Sequence, residues 1–166
     1  MILRNAAEED FSLISKIAYA TWPHTYGNIL SESQLEYMLA LFYSVDALTA
    51  NLQNGHQFFL AFDDNVAKGF ISCEHGYNKR NRSHIHKIYI LPEFQGSGIG
   101  TLLLQHVVEK AMSKGSDVVS LNVNRNNPAV DFYSKLGFEI EHSVDIELDH
   151  GYLMEDFVMV KYLRDF

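Results

Sequence analysis

Leu91-Pro92-Glu93-Phe94-Gln95-Gly96-Ser97-Gly98-Ile99-Gly100-Thr101 carries three glycines at alternate positions. A β-rich run, His84 to Ile90, precedes it, and an amphipathic run, Thr101 to Met112, follows. Strand, glycine-rich turn and helix start, in that order, make an anion site. Glycines let the backbone turn tightly and approach a ligand closely. The free N–H groups of a helix N-terminus, at the positive end of its dipole, then face the anion. A phosphate-bearing ligand is therefore expected. Two common phosphate motifs fail on spacing. A Walker A loop ends in Gly-Lys-Ser/Thr, whereas Gly100 is followed by Thr101 and Leu102. A dinucleotide fingerprint is G-x-G-x-x-G, whereas the glycines at 96, 98 and 100 read G-x-G-x-G. A nicotinamide enzyme is not expected.

Working outward, the pattern mixes β and α elements. On the N-terminal side, Met1 to Arg4 reads as a strand and Ala6 to Ala20 as a helix, from the spacing of Phe11, Leu13, Ile14, Ile17 and Ala18. Thr21-Trp22-Pro23-His24-Thr25-Tyr26-Gly27 breaks that pattern and is expected to be a loop or distorted turn. A second helix is expected from Glu32 to Tyr43, and a short one to Leu52 capped by Asp46. Gln57 to Phe62 and Val66 to Tyr77 read as strands joined by a hairpin turn at Asp63-Asp64-Asn65, with Gly69 as a bulge or twist point. On the C-terminal side come a strand from Val118 to Val123 and a helix opened by Asn126-Asn127-Pro128 and closed by Gly137. Two strands, Phe138 to Leu148 and Tyr152 to Tyr162, end the chain. The expected fold is one α/β domain over residues 1–166, with hairpins at both ends and a β-α-β crossover in the middle.

Composition narrows the function. The net charge is −8, from 13 basic and 21 acidic residues. Nucleic-acid binders carry a basic footprint, so none is expected; a cationic substrate suits the balance better. Cys73 is the single cysteine, which excludes an intrachain disulfide and a cysteine-rich metal site. No apolar leader opens the chain and no apolar run reaches the ~20 residues of a membrane span. The expectation is a cytoplasmic protein without membrane contact.

Ile88-Tyr89-Ile90-Leu91-Pro92-Glu93-Phe94-Gln95-Gly96-Ser97-Gly98-Ile99-Gly100 resembles the acetyl-coenzyme A motif of the GNAT superfamily of N-acetyltransferases, with Gln95, Gly98 and Gly100 at its fixed positions. The run from Asn122 to Phe138, containing Asn127, Tyr133 and Gly137, is similar to the superfamily's other signature. The resemblance implies a mixed, mostly antiparallel sheet of six to seven strands, with central splayed parallel strands and helices on both faces. It implies acetyl-coenzyme A as acyl donor, with backbone amides of Gln95, Gly96, Ser97, Gly98, Ile99, Gly100 and Thr101 around the pyrophosphate. Ile88, Tyr89 and Ile90 would bond the pantetheine arm as an added strand. Asn127 would order that arm, and Tyr133 would lie near the sulfur.

Acetyl transfer to an amine needs a base, an oxyanion donor and an acid for the leaving thiolate. The donor expected is a backbone N–H near Ile90, and the acid is the Tyr133 hydroxyl. Many relatives carry a Glu on the strand before the glycine turn; this chain has His84 and His86, on one face by the two-residue period. His86, nearer the cofactor end, is the expected base, with Glu74 and His75 as rivals. No third ligand stands near His84-x-His86 at a recognisable spacing, so no metal is expected.

Trp22, His24, Tyr26 and Glu74 are the candidate acceptor-binding residues. The region from Trp22 to Leu39, and the ending Asp156-Phe157-Val158-Met159, resemble bacterial diamine and polyamine N-acetyltransferases. A small cationic amine is therefore the first acceptor expected. A protein or peptide N-acetyltransferase is the alternative, and a non-catalytic acyl-coenzyme A sensor is the alternative from another class. A homodimer through the terminal strands is a candidate assembly.

Overall fold

The structure is a computed structural model and describes residues 1–163. Among these, twelve regular elements follow in chain order: β1 (Ile2–Asn5), α1 (Phe11–Tyr26), α2 (Glu32–Tyr43), α3 (Val45–Gln53), β2 (Gln57–Asp63), β3 (Val66–His75), β4 (Arg82–Ile90), α4 (Ile99–Ser113), β5 (Val118–Asn124), α5 (Ala129–Lys135), β6 (Glu139–Glu147) and β7 (Leu153–Tyr162). The strands form one seven-stranded sheet in the order β1-β2-β3-β4-β5-β7-β6. Every neighbouring pair is antiparallel except β4 and β5. That pair is parallel because α4 carries the chain back between them, the connection parallel strands require. The β2–β3 turn is a two-residue one, with Asp64 (φ 52) and Asn65 (φ 62) both left-handed. That is the primed geometry that suits twisted hairpins and that Asp and Asn tolerate.

Alternation along the strands divides the core in two. Phe58, Leu60 and Phe70 pack under α1, α2 and α3 with Phe11, Ile14, Leu39 and Leu48. Phe59, Ala61 and Ile71 pack under α4 with Leu103, Val107 and Ala111. The helices thus cover both faces, as expected. Each fully buried Leu or Phe here contributes ~1.5–3 kcal/mol. Among the described residues no helix is long and apolar enough to cross a membrane.

Two irregularities in β4 position the site. First, β4 and β5 pair only from Arg82↔Val118 to Ile85↔Leu121, although β4 runs on to Ile90 and β5 to Asn124. Beyond Ile85 the two strands part and leave a gap in the middle of the sheet. Second, Cys73 pairs with Ile85 and Ser72 with Lys87, so His86 is an extra residue on β4. Such a bulge bends and twists its strand, and it falls where the β4–β5 pairing ends. It also breaks the two-residue alternation. His86 and Lys87, though adjacent, both face the cavity under α1 and α2, while Ile85 and Ile88 face the α4 side.

The structure corrects three sequence expectations. Residues 21–26 are helical, not a loop: α1 continues through Pro23 to Tyr26, and the Gly27 N–H bonds to Pro23 O at 3.0 Å. A proline inside a helix costs ~3 kcal/mol. Burial of Thr21, Trp22 and Tyr26 against the core offsets it, and the Thr21 hydroxyl donates back to Ile17 O at 2.6 Å. Second, Ser44 rather than Asp46 caps α3, its Oγ accepting from Ala47 N at 3.1 Å. Third, β3 stops at His75, because Gly76 (φ 67) and Asn78 (φ 55) take left-handed conformations. Tyr77 therefore leaves the sheet, and its ring stacks on His84 at 4.3 Å.

Candidate active site

The glycine turn is shaped as an anion cradle. Gly96 (φ 79) and Gly98 (φ 89) are left-handed, a conformation that a side chain would strain. A Cβ on Gly100 would stand 3.1 Å from the Phe132 ring, so α4 and α5 approach each other through that glycine. Among the described residues, no backbone acceptor takes the N–H groups of residues 96–101; the first to be satisfied is Leu102, on Gly98 O. Six amides at the positive end of a 15-residue helix therefore stand open. The Gln95 side chain donates to Ile90 O at 3.1 Å and ties the turn to the end of β4.

The gap between β4 and β5 opens into a cleft of about 620 Å³. Its walls include residues 85–90 of β4, Leu121 to Val123 of β5, the glycine turn, and Asn127 with Tyr133. Leu91 N–H bonds to Lys68 O on the β3 side. By alternation, the N–H of Ile90, and that of Ile88 before it, point away from β3 into the cleft. The strand edge is thus free to accept an extended ligand arm, and the cradle lies at its end. These features fit coenzyme A. Asn127 Oδ1 accepts from Ala129 N at 2.9 Å, which fixes the start of α5 beside the cleft.

A second cavity, of about 290 Å³, lies under α1 and α2. Tyr26, His86, Lys87, Tyr89 and Asn122 line both spaces. They mark the junction where a group held in the cleft would meet a molecule in the cavity. The cavity's walls are largely aromatic, with Trp22, Phe42, Tyr43 and Tyr89, and Tyr26 and Tyr89 share a hydroxyl–hydroxyl bond of 2.8 Å. One carboxylate opens onto it: Asp156 on β7, 4% exposed, with no salt bridge among the described residues. Burial raises its pKa above the usual aspartate range, partly offset by Asn122.

The candidate base, His86, sits at the junction, and the candidate acid, Tyr133, lines the cleft only. Tyr133 is buried and its pKa is pushed up by burial, so its hydroxyl stays neutral and can donate. His86 Nε2 lies 3.0 Å from Glu74 Oε1, and its ring stacks on His56 at 3.9 Å. Burial lowers the His86 pKa to about 4, so its imidazole is uncharged at neutral pH. His84 is not its equal. Its Nδ1 is 2.7 Å from Ser120 Oγ, burial lowers its pKa to about 3, and it lines the inner cavity but not the cleft.

The structure brings most sequence-predicted residues together. Ile88, Tyr89, Ile90, Gln95, Gly96, Gly98, Ile99, Gly100, Thr101, Asn127 and Tyr133 all line the cleft; Ser97 does not, its hydroxyl turning back to Phe94 O. His24 and Tyr26 line the cleft, while Trp22 lines the smaller cavity only. Glu74 lines neither and lies behind His86. Sequence reasoning missed Lys87, whose burial lowers its pKa to about 8, and it did not single out Asp156 from the other acidic residues. It also missed a cluster around His86, without His84: His56, Glu74 and His86 place one donor atom each within 4.8 Å of one another. Strand pairing joins these residues, and no local spacing signals it.

A sheet splayed beside a glycine-rich helix start, with a Tyr and a His at the opening, defines an acyl-coenzyme A-dependent acetyltransferase architecture. The Acetyltransferase (GNAT) family model matches residues 14–138, and the chain belongs to that family. It is 29% identical over 145 residues to a spermidine N(1)-acetyltransferase of Thermoplasma acidophilum, covering 84% of this chain and 88% of that one. It is 37% identical over 87 residues to an uncharacterized N-acetyltransferase of Methanocaldococcus jannaschii, covering 49% of this chain and 38% of that protein's length. Among solved structures, the PaiA N-acetyltransferase of Thermoplasma acidophilum in complex with coenzyme A superimposes with a TM-score of 0.81 at 28% identity, over 97% of this chain and 98% of that one.

Proposed function

We propose that this protein transfers an acetyl group from acetyl-coenzyme A to a primary amine of a small, cationic, polyamine-like acceptor. The observation that carries the acceptor class is Asp156, a buried carboxylate without a salt bridge among the described residues, opening onto an aromatic cavity. A buried carboxylate is costly unless a cation reaches it. Aromatic faces beside it also favour cations. The cavity, at about 290 Å³, is of small-molecule rather than peptide-groove size. The similarity to a spermidine acetyltransferase agrees with this reading.

Acetyl-coenzyme A supplies an activated thioester; the chain's residues do the rest. The open amides of residues 96–101 hold the pyrophosphate, and Ile88 and Ile90 bond the arm. The Ile90 N–H is the donor for the carbonyl oxygen as charge develops there. His86, uncharged at pH 7, accepts the amine proton, directly or through one water, as bonding to the carbonyl makes that N–H acidic. Tyr133 gives its proton to the departing sulfur. Lys87 and Asp156 divide the acceptor's charge. Lys87 lines the junction and disfavours a second cation at the reacting end, which keeps that amine neutral; Asp156 lines the inner cavity only and favours a cation at the other end.

Thiol release from acetyl-coenzyme A, measured with a panel of diamines, uncharged-tail monoamines, amino acids and peptides, tests the proposal. The diamines are expected to give the highest kcat/KM. A preference for peptides or for uncharged-tail amines would falsify the acceptor class.

A further inference from the structure

Behind the junction lies a cluster that acetyl transfer does not use in full. His56 directly precedes β2, Glu74 is on β3 and His86 is the bulge residue of β4, so three adjacent strands of one sheet hold it. His86 Nε2 is 3.0 Å and His56 Nε2 is 3.4 Å from the same oxygen, Glu74 Oε1. Their side chains are 12% (His56), 25% (Glu74) and 20% (His86) exposed, neither sealed in the core nor free in solvent. We propose that His56, Glu74 and His86 form a site for a divalent transition-metal ion, Zn2+ first, with a fourth position left for water.

The chemistry of the donors points to that class. Two imidazoles and one carboxylate are a zinc ligand set, and three protein ligands leave one coordination position open. Mg2+ and Ca2+ are excluded by preference, because they take oxygen ligands in larger number. The spacing is also suitable. Ligands ~2.0–2.1 Å from a tetrahedral ion stand roughly 3.3–3.4 Å apart, and the two nitrogen–oxygen separations, 3.0 and 3.4 Å, lie close to that edge. The Glu74 carboxylate supplies negative charge, and it makes no salt bridge to a lysine or arginine among the described residues. The Lys87 ammonium, 3.1 Å from Asn51 Oδ1, is the opposing charge in the neighbourhood.

Binding requires two local changes. His86 Nε2, 3.0 Å from a carboxylate oxygen that can only accept, is an N–H donor and must pass its proton to Nδ1 or to solvent, and the two imidazoles, stacked with their planes 7° apart, hold their Nε2 atoms side by side rather than convergent. The stack must open so that both lone pairs meet the ion. The His56 Nδ1 has no hydrogen-bond partner among the described residues, so no bond at that atom pins the ring against this rotation. An ion on His86 Nε2 leaves the ring proton on Nδ1 and so removes the lone pair that proton transfer needs. That inhibitory consequence rests on the proposed role of His86; ion binding itself does not.

The test is titration of chelator-treated protein with Co2+, read by the visible d–d absorption of a four-coordinate ion, followed by displacement with Zn2+. Wild type is expected to bind one Co2+ per chain, with the band lost on Zn2+ addition and unaffected by excess Mg2+. His56→Asn and Glu74→Gln, each checked for fold by circular dichroism, are expected to weaken binding at least tenfold. His56→Asn is further expected to keep basal acetyl transfer while losing inhibition by Zn2+. No d–d band in wild type, or binding in both variants as tight as in wild type, overturns the site. Inhibition by Zn2+ that persists in His56→Asn overturns the link to transfer. Ion binding in a protein that transfers to no amine leaves the site standing and overturns the function proposed above.

Discussion

Asp156→Asn separates the acceptor from the fold. The carboxylate is 4% exposed and faces a cavity walled by Trp22, Tyr26, Tyr43 and Tyr89. Two opposite charges about 4 Å apart interact by ~4 kcal/mol at an effective dielectric of ~20. Desolvating the acceptor's ammonium returns part of this, so a net loss of ~2–3 kcal/mol is expected, a fall of about 30- to 150-fold in kcat/KM for a diamine. A monoamine with an uncharged tail should change less than about threefold, since it has no cation to lose. Stability should move the other way. Burial holds the folded-state pKa of Asp156 above its unfolded value. Folding therefore favours its protonated form; the carboxyl begins to cost stability as the pH rises past its unfolded pKa, and the cost is complete above the folded pKa. A neutral amide removes the cost at pH 7, so Tm should hold or rise. Steady-state thiol release with the two amines, beside a thermal melt, gives both readings. Equal losses for the diamine and the monoamine would refute the cation-anchor reasoning, and a lower Tm would refute the burial argument.

Tyr133→Phe should lower kcat by ~10²-fold or more while leaving the coenzyme A Kd unchanged, measured by calorimetry beside the assay; near-normal turnover removes the hydroxyl from the mechanism. Gly98→Ala meets no atom within 4 Å, so its whole effect comes from φ 89. A cost of ~1–2 kcal/mol at that position should weaken coenzyme A binding by roughly 5- to 30-fold, with little change in acceptor KM. The pH dependence of stability should carry the mark of His84. Its pKa is about 3 in the fold against 6.5 for an unperturbed histidine, so the unfolded chain binds the extra proton. Its contribution is full above pH 6.5 and is lost as the pH falls toward 3, at ~1.4 kcal/mol per pH unit. Urea titrations from about pH 7 to about pH 4 should show a slope shallower by about that amount in His84→Asn; an unchanged slope means His84 does not titrate as a buried neutral ring.

Local chemistry was legible in the sequence and long-range pairing was not. Gln95 to Gly100 and Asn127 to Gly137 each declare themselves within a dozen residues, because glycine placement and caps are local constraints. The cradle and the start of α5 follow from them. Pro23 misled for the same reason: its local preference was read, while burial of Trp22 and Tyr26, which overrides it, depends on α2 and the sheet. A bulge is a one-residue insertion with no composition of its own, so the period of two put His86 on the face of His84 but gave no sign that Lys87 shares it. Asp156 faces the cavity because β7 inserts between β5 and β6. That order is not written in any stretch of β7. His56 and Glu74 converge on His86 from 30 and 12 residues away for a similar reason.

The most direct measurement is a competition. Wild-type protein and acetyl-coenzyme A are mixed with equimolar diamine, uncharged-tail monoamine and N-terminal peptide, and the acetylated products are counted by mass spectrometry. Their ratio is the ratio of kcat/KM values. The account predicts acetylated diamine in excess over both others, an excess that Asp156→Asn abolishes. Acetylated peptide as the main product, or no product from any acceptor while coenzyme A still binds, would contradict it.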